Sequence, residues 1–188
     1  MKIYIVIPAH NEQESIGKTL QSLVNQQLKP TQLVVVDDFS TDNSWELLQS
    51  FSERDNRITA LKNTQPSITN ALQLAFENCT GNYISRMDAN DVMPPNKLEK
   101  LQKRAQENPK AVITGMVKYF ADSPISDGYL DYENWLNARV LQADFDKHIF
   151  RECVLASPNW LTHRKNIEAV LPFSTHTYPE DYDLVFRW

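Results

Sequence analysis

Cysteine is scarce: Cys79 and Cys153 are the only two in 188 residues, and they are far apart with no metal-ligand spacing between them. With no secretory leader to suggest an oxidising compartment, two free thiols in a reducing cytosol are expected. The start, Met1-Lys2 followed by Ile3–Ile7, is too short for a signal-peptide core and runs into Pro8. No apolar run approaches the roughly 20 residues of a membrane helix. A cytoplasmic protein is expected, with room for peripheral contact at the inner face of the cell membrane. Positive charge is short as well: 19 Lys and Arg against 24 Asp and Glu leave a net charge of −5. That argues against a general nucleic-acid binder, which needs a basic face. Internal repeats and low-complexity segments are missing. The length suits one domain with a sizeable core.

What is present is an alternation. Ile3–Ile7 reads as a strand buried on both faces and stopped by Pro8. Asn11 with Glu14 forms a capping-box pattern before Ile16, Leu20, Leu23 and Val24, which share one helical face. Leu33–Val36 is a second strand, followed by candidate N-caps Ser40, Thr41 and Asp42 and a helix whose apolar side is Trp45, Leu48 and Phe51. Ile58–Leu61, a helix capped by Ser67 and ended by Gly81, Tyr83–Met87, a helix after Pro94-Pro95 and Ala111–Val117 continue the series. Strands alternating with helices imply βαβ units and a mainly parallel sheet, an α/β fold. Beyond residue 118 the rhythm breaks: 122–131 reads as loop and 131–141 as a helix.

Three acidic stations carry the chemistry. Asp37-Asp38 closes the second strand, Asp88-Ala89-Asn90-Asp91 closes the fourth, and Glu180-Asp181 follows Pro179. In open α/β sheets, ligands bind beyond the carboxyl ends of the strands. Asp37-Asp38 can accept hydrogen bonds from a base or ribose, or can simply make an Asx turn and a helix cap. Hard oxygen ligands on one short loop suit Mg²⁺ or Mn²⁺ on a diphosphate, although Asp88–Asp91 also reads as a polar turn. Glu180-Asp181 fits a dipole-favoured first helical turn or a general base. His10 and Arg164 are either ligand contacts or solvated side chains. Trp160, Phe173 and Cys79 read as core.

Taken together, these segments resemble glycosyltransferase family 2, over nearly the whole chain. Ile5-Val6-Ile7-Pro8-Ala9-His10-Asn11-Glu12 is similar to the family's V-I-I-P-x-Y-N-E, and Val34–Asp42 to V-V-D-D-G-S-T-D. Gly81–Asp91 is similar to G-x-Y-I-a-R-M-D-A-D-D, and Glu180–Leu184 to E-D-Y-D-L. The resemblance implies a GT-A fold, a Rossmann-like three-layer α/β/α domain over 1–188. Residues 1–118 would bind the nucleotide sugar, and 119–188 would form an acceptor-side part that breaks off early in a helix. It implies an inverting, metal-dependent transferase moving a sugar from a nucleoside-diphosphate sugar to a saccharide or glycolipid hydroxyl, in surface polysaccharide or lipopolysaccharide synthesis. Pro8, Ala9, Asn11, Glu12, Asp37, Asp38, Asp88 and Glu180 would bind substrate, with Asp38 on the base. Asp88, Asn90 and Asp91 would hold Mn²⁺ or Mg²⁺, and Asp181 would be the general base. A free Asp, with a pKa near ~3.9, is a weak base, so proton transfer should accompany bond formation.

Departures from the pattern are Asn90 where the family places Asp, Phe39 where it places Gly, and a 64–69 segment without its glycine or any basic residue. These leave open a nucleotide-sugar-binding module of the same fold with little or no transfer. A signalling receiver domain also begins with an acidic pair after a strand, but Asp88 ends the wrong strand for its phosphoacceptor.

Overall fold

The computed structural model describes residues 2–173 and 179–188. Six strands form one sheet in the order β3-β2-β1-β4-β6-β5. They are β1 (Ile3–Ala9), β2 (Gln32–Asp37), β3 (Ile58–Lys62), β4 (Tyr83–Arg86), β5 (Val112–Thr114) and β6 (Trp160–His163). β1 to β4 pair in parallel, and β6 is inserted antiparallel between β4 and β5. The helices are α1 (Ile16–Val24), α2 (Ser44–Arg54), α3 (Ile68–Glu77), α4 (Lys97–Glu107), α5 (Asp127–Gln142), α6 (Arg164–Glu168) and α7 (Glu180–Arg187).

The continuous apolar strands are buried on both faces, as parallel strands must be. Ile3, Ile5 and Ile7 of β1 with Leu33 and Val35 of β2 pack against α1, α2 and α4 through Leu20, Leu48 and Leu98. Tyr4, Val6, Val34 and Val36 point the other way, onto Leu72 and Phe76 of α3, Ile167 of α6 and Leu184 of α7. This is a three-layer α/β/α domain of the GT-A type with a mainly parallel sheet. Each fully buried Ile or Leu contributes about 1.5–3 kcal/mol by leaving water.

Several local expectations are corrected. Pro8 does not stop β1, which runs on to Ala9 with Pro8 paired opposite Val36. Val6 gives its carbonyl to Met87 on the β4 side and Ala9 gives its own to Asp38 on the β2 side. By that alternation Pro8 faces the β4 side beyond the last pairing at Arg86, where no partner needs its missing N–H. The Asn11–Glu14 capping box does not form. The helix starts at Ile16, and the Asn11 side chain is taken by the Thr41 backbone N–H at 2.8 Å. Asp42 accepts the first amide of α2, from Ser44 at 2.9 Å, although Asn43 holds the cap position.

Gly81 does not end α3, which stops at Glu77. Its role is close approach, because a Cβ there would stand 2.0 Å from the Tyr4 ring. Ile68, the first residue of α3, is 40% exposed although its spacing to Leu72 and Ala75 places it on their apolar face. The strand expected at Ala111–Val117 is only Val112–Thr114, and the helix expected at 131–141 begins at Asp127. β6 was not foreseen at all: four residues at the end of an irregular stretch carry too little pattern to read as a strand.

Candidate functional site

β1, β2 and β4 run in parallel as neighbours, so Ala9, Asp38 and Met87 emerge at one edge of the sheet. There the β1–α1 and β2–α2 loops are zipped together. Asp38 N–H donates to the Ala9 carbonyl at 2.7 Å, His10 Nδ1 lies 2.6 Å from the Asp38 carbonyl, and Glu12 N–H donates to Ser44 Oγ at 2.7 Å. Asn11 and Phe39 both adopt left-handed backbone, with φ of 55° and 59°. For a bulky residue such as Phe this conformation costs on the order of 1–2 kcal/mol. Phe39, at the position where the resembled motif has glycine, is 48% exposed at this edge.

The second acidic residue of the pair is tied to the next unit. Asp38 Oδ1 accepts from Asn63 Nδ2 at 2.7 Å and from the Ser67 amide at 3.1 Å, which anchors the start of α3. Asp37 is 3% exposed, and its Oδ1 has no hydrogen-bond partner among the described residues. Pro8 is half-buried and Ala9 buried at the end of β1.

Asp88, Asn90 and Asp91 line a cleft of about 510 Å³, and Asp181 lines the same cleft from α7. Its remaining walls include Tyr119, Tyr132, Leu136, Leu155 and Ser157. The Asp181 carboxylate is oriented from both sides: Ser157 Oγ donates to Oδ2 at 2.6 Å and the Tyr182 amide donates to Oδ1 at 2.7 Å. Asp37, Asp38, Pro8, Ala9, Asn11, Glu12 and Glu180 do not line this cleft. The first five belong to the carboxyl ends of β1 and β2 and the loops that follow, as does Glu12, whose charge reaches Asp91.

Arg86 explains how α7 comes to that place. Its guanidinium is 5% exposed and bridges Asp88 Oδ1 at 2.9 Å to Glu180 Oε1 at 2.8 Å. Burial opposes its charge, yet attraction to Asp88 and Glu180 and hydrogen bonds to both prevail and raise its pKa. Glu180, expected to bind substrate, is thus bonded to Arg86 at the first turn of α7, next to Asp181.

The Asp91 carboxyl is held above its ordinary range, first by burial, then by the charges of Asp88 and Glu12, against a pull from Lys97. Lys97, in the first turn of α4, is pushed down to about 8 by burial despite Asp91. Tyr132 is raised, chiefly by burial and secondarily by Glu152. Among the described residues no group of three or more His, Cys, Asp or Glu is arranged to hold a metal ion. Two carboxylates that feel each other, with an amide oxygen from Asn90 on the same wall, still fit a hard cation whose other ligands are phosphates and water.

Arg86, Ser157 and Lys97 went unread in the sequence. A charged residue inside the otherwise buried strand Tyr83–Met87, two positions before Asp88, was the signal for Arg86. Nothing local marked Ser157, which meets Asp181 only through the fold. Arg164, a candidate ligand contact, is spent on Glu168 at 2.8 Å and on the Cys79 carbonyl, with its guanidinium 4.4 Å from the centre of the Phe76 ring. Trp160, Phe173 and Cys79 are core, as expected.

The profile of a family described as Glycosyl transferase family 2 matches residues 4–170. Glycosyltransferase GlyA of Streptococcus pneumoniae is 31% identical over 122 residues, which is 65% of this chain and 18% of that protein. The undecaprenyl-phosphate 4-deoxy-4-formamido-L-arabinose transferase of Serratia proteamaculans is 31% identical over 60% of this chain and 36% of its own length. The crystal structure of S. aureus TarS 1-349 in complex with UDP-GlcNAc superposes with a TM-score of 0.70 at 18% identity, covering 100% of this chain and 53% of that one. The chain thus spans about half or less of each of these proteins. No helix among the described residues is long and apolar enough to cross a membrane.

Proposed function

The chain belongs to glycosyl transferase family 2, and we propose that it transfers a sugar, with inversion, from a nucleoside-diphosphate sugar to an acceptor hydroxyl. The observation that carries this reading is the convergence of Asp88, Asn90 and Asp91 with Asp181 on one cleft of about 510 Å³. Carboxylates from distant stretches of the chain, one set behind a buried strand and one on a helix, have no packing reason to meet in a solvent-filled space.

In this reading the nucleoside lies across the sheet-edge rim formed by Pro8, Ala9, Asn11 and Glu12 with Asp37. Asp38, with Oδ1 already held by Asn63 and Ser67, offers Oδ2 to an N–H of the base. The diphosphate lies over Asp88, Asn90 and Asp91. A divalent cation bound there, Mn²⁺ or Mg²⁺, would offset the charge of the leaving group. Asp181, steadied by Ser157 and the Tyr182 amide, takes the acceptor's proton as the hydroxyl oxygen forms its bond to the anomeric carbon. The bond from that carbon to the diphosphate breaks on the opposite face, and its electron pair leaves with the nucleoside diphosphate. Arg86 and Glu180 act one step back by fixing where Asp88 and Asp181 stand. We place the reaction in surface polysaccharide or lipopolysaccharide synthesis at the cytoplasmic face of a membrane, a setting in keeping with a relative named as an undecaprenyl-phosphate sugar transferase.

Calorimetric titration with UDP, GDP and dTDP, with and without Mn²⁺, tests the donor side. Binding of at least one of them, strengthened by the cation, is expected, and no heat with any of the three refutes the reading. Asp181→Asn should keep donor binding within about twofold and lower turnover roughly 10²–10⁴-fold, the span of general-base catalysis. Equal turnover removes Asp181 from the reaction. Tight donor binding with no wild-type turnover would instead describe a nucleotide-sugar-binding module.

A further inference from the structure

A second and larger groove, about 710 Å³, opens beside the cleft and shares Asp91, Val117, Lys118, Phe120 and Pro158 with it. Its charge is opposite to that of the molecule. In a chain of net charge −5, the groove is lined by four basic side chains, Lys97, Lys100, Arg104 and Lys118, and two acidic ones, Asp91 and Glu133. Glu133 is engaged by Lys118 at 3.5 Å and by the Tyr119 amide at 2.6 Å. Lys97, Lys100 and Arg104 recur at helical spacing on one face of α4, a row about 10 Å long at 1.5 Å per residue. Arg104 has one surface partner, Glu107 at 3.4 Å, and Lys97 reaches the Pro158 carbonyl at 3.4 Å. The exposed Arg104 pair contributes little, and of the two acids in the groove only Asp91 acts on the row, at Lys97.

The floor adds a second and independent sign. Asn159 lines the groove and is 1% exposed. Its amide nitrogen is spent on the Gly115 carbonyl, while its Oδ1 has no hydrogen-bond partner among the described residues. A buried acceptor left without a donor costs about 1–3 kcal/mol, so it calls for one. Gly115 lies beside it, where a Cβ would stand 3.6 Å from that oxygen, in ordinary contact. Apolar surface from Met87, Ile113, Met116 and Phe120 completes the walls.

We infer that this groove binds the acceptor and that the acceptor is an acidic glycan. Its phosphate or carboxylate groups lie along Lys97, Lys100 and Arg104, a hydroxyl donates to Asn159 Oδ1, and sugar faces pack on the apolar walls. A neutral glycan would leave the cationic row unused, and an alkyl chain would leave Asn159 unpaired. Continuity through Asp91 and Phe120 lets the chain's end reach the cleft that holds Asp181. The role as acceptor rests on the transferase reading of that cleft, whereas acidic-glycan binding stands on the groove alone.

The test is residue-resolved ¹⁵N NMR titration of the protein with three probes: a hyaluronan hexasaccharide, glucose 6-phosphate and neutral maltohexaose. The hexasaccharide should shift the amides of 96–104 and 114–118 and the Asn159 side-chain amide, and 0.5 M NaCl should weaken it at least tenfold. Maltohexaose should bind at least tenfold more weakly. Stronger shifts per group with glucose 6-phosphate would assign phosphate to the row, and stronger shifts with hyaluronan would assign carboxylate; either supports the inference. Lys100→Glu with Arg104→Glu, both exposed, should lower hexasaccharide affinity at least fivefold with UDP binding unchanged. Should that variant misfold, Lys100→Gln with Arg104→Gln asks the same question with half the charge change. Equal binding of the neutral sugar, shifts confined to other surfaces, or no effect of the charge changes would overturn the inference. Failure of UDP to bind the wild type would strike the transferase reading and leave this one standing.

Discussion

Replacing Arg86 by Met should loosen the whole candidate site from a buried position on β4. The methionine keeps most of the methylene stem, so the packing between β4 and α7 is largely retained. What goes is a 5%-exposed guanidinium bonded to Asp88 at 2.9 Å and to Glu180 at 2.8 Å. Removing one partner of a buried ion pair costs roughly 3–5 kcal/mol, because the other charge is left without compensation. Two charges are orphaned here, but Asp88 is 31% exposed and Glu180 is 15% exposed, so water recovers part of the loss. About 3 kcal/mol is the expected net cost. For a domain of this size that corresponds to a Tm lowered by about 6–12 °C.

Thermal and urea unfolding measure that cost, and native-state hydrogen exchange locates it. Amides of Glu180–Arg187 should lose protection more than those of β1 and β2, because α7 is the element that the bridge holds. Turnover should fall while donor binding changes less, since Asp181 drifts from the cleft as α7 loosens. A Glu180→Gln background should shrink the Arg86→Met effect, the mark of a coupled pair. A Tm within about 2 °C of wild type, with an unchanged urea m-value, would refute the reasoning. So would uniform loss of protection across the sheet.

Gly81→Ala should destabilise the fold by about 1–3 kcal/mol through overpacking, since the new methyl would sit 2.0 Å from Tyr4 Cδ2 and 2.9 Å from the Lys2 carbonyl. Tyr4 cannot swing aside freely, being 5% exposed and hydrogen-bonded through its hydroxyl to Thr80 at 2.8 Å; a wild-type urea midpoint would contradict this. The Lys97 side chain should titrate at about 8 instead of near 10.5, read from its ¹³Cε shift, and a midpoint above 10 would remove the burial argument. Between those two values the folded chain binds fewer protons than the unfolded one, so this group makes folding more favourable as pH rises through the window.

Periodicity and strand-end chemistry by themselves determine a good deal of this protein. Five of the strands, helices α1 to α4 and the three acidic stations follow from apolar runs, helical spacing and the places where both end, because those signals are local. Cys79, Trp160 and Phe173 were legible as core for the same reason. Contacts made across the chain were not legible. Pro8 reads as a stop until the pairing of β1 shows that its nitrogen faces no neighbour. Gly81 reads as a helix end until Tyr4 is seen lying against it. β6 has four residues, and its place between β4 and β5 is decided by which strands are left unpaired, a property of the assembled sheet. Glu180 looks like a ligand contact in its own segment, but only the tertiary structure brings Arg86 to it. The same holds for the meeting of Asp181 with Ser157 and the Asp88 loop: side chains far apart in the chain share a cleft when the sheet and α7 have packed, and neighbouring residues carry no record of that distance.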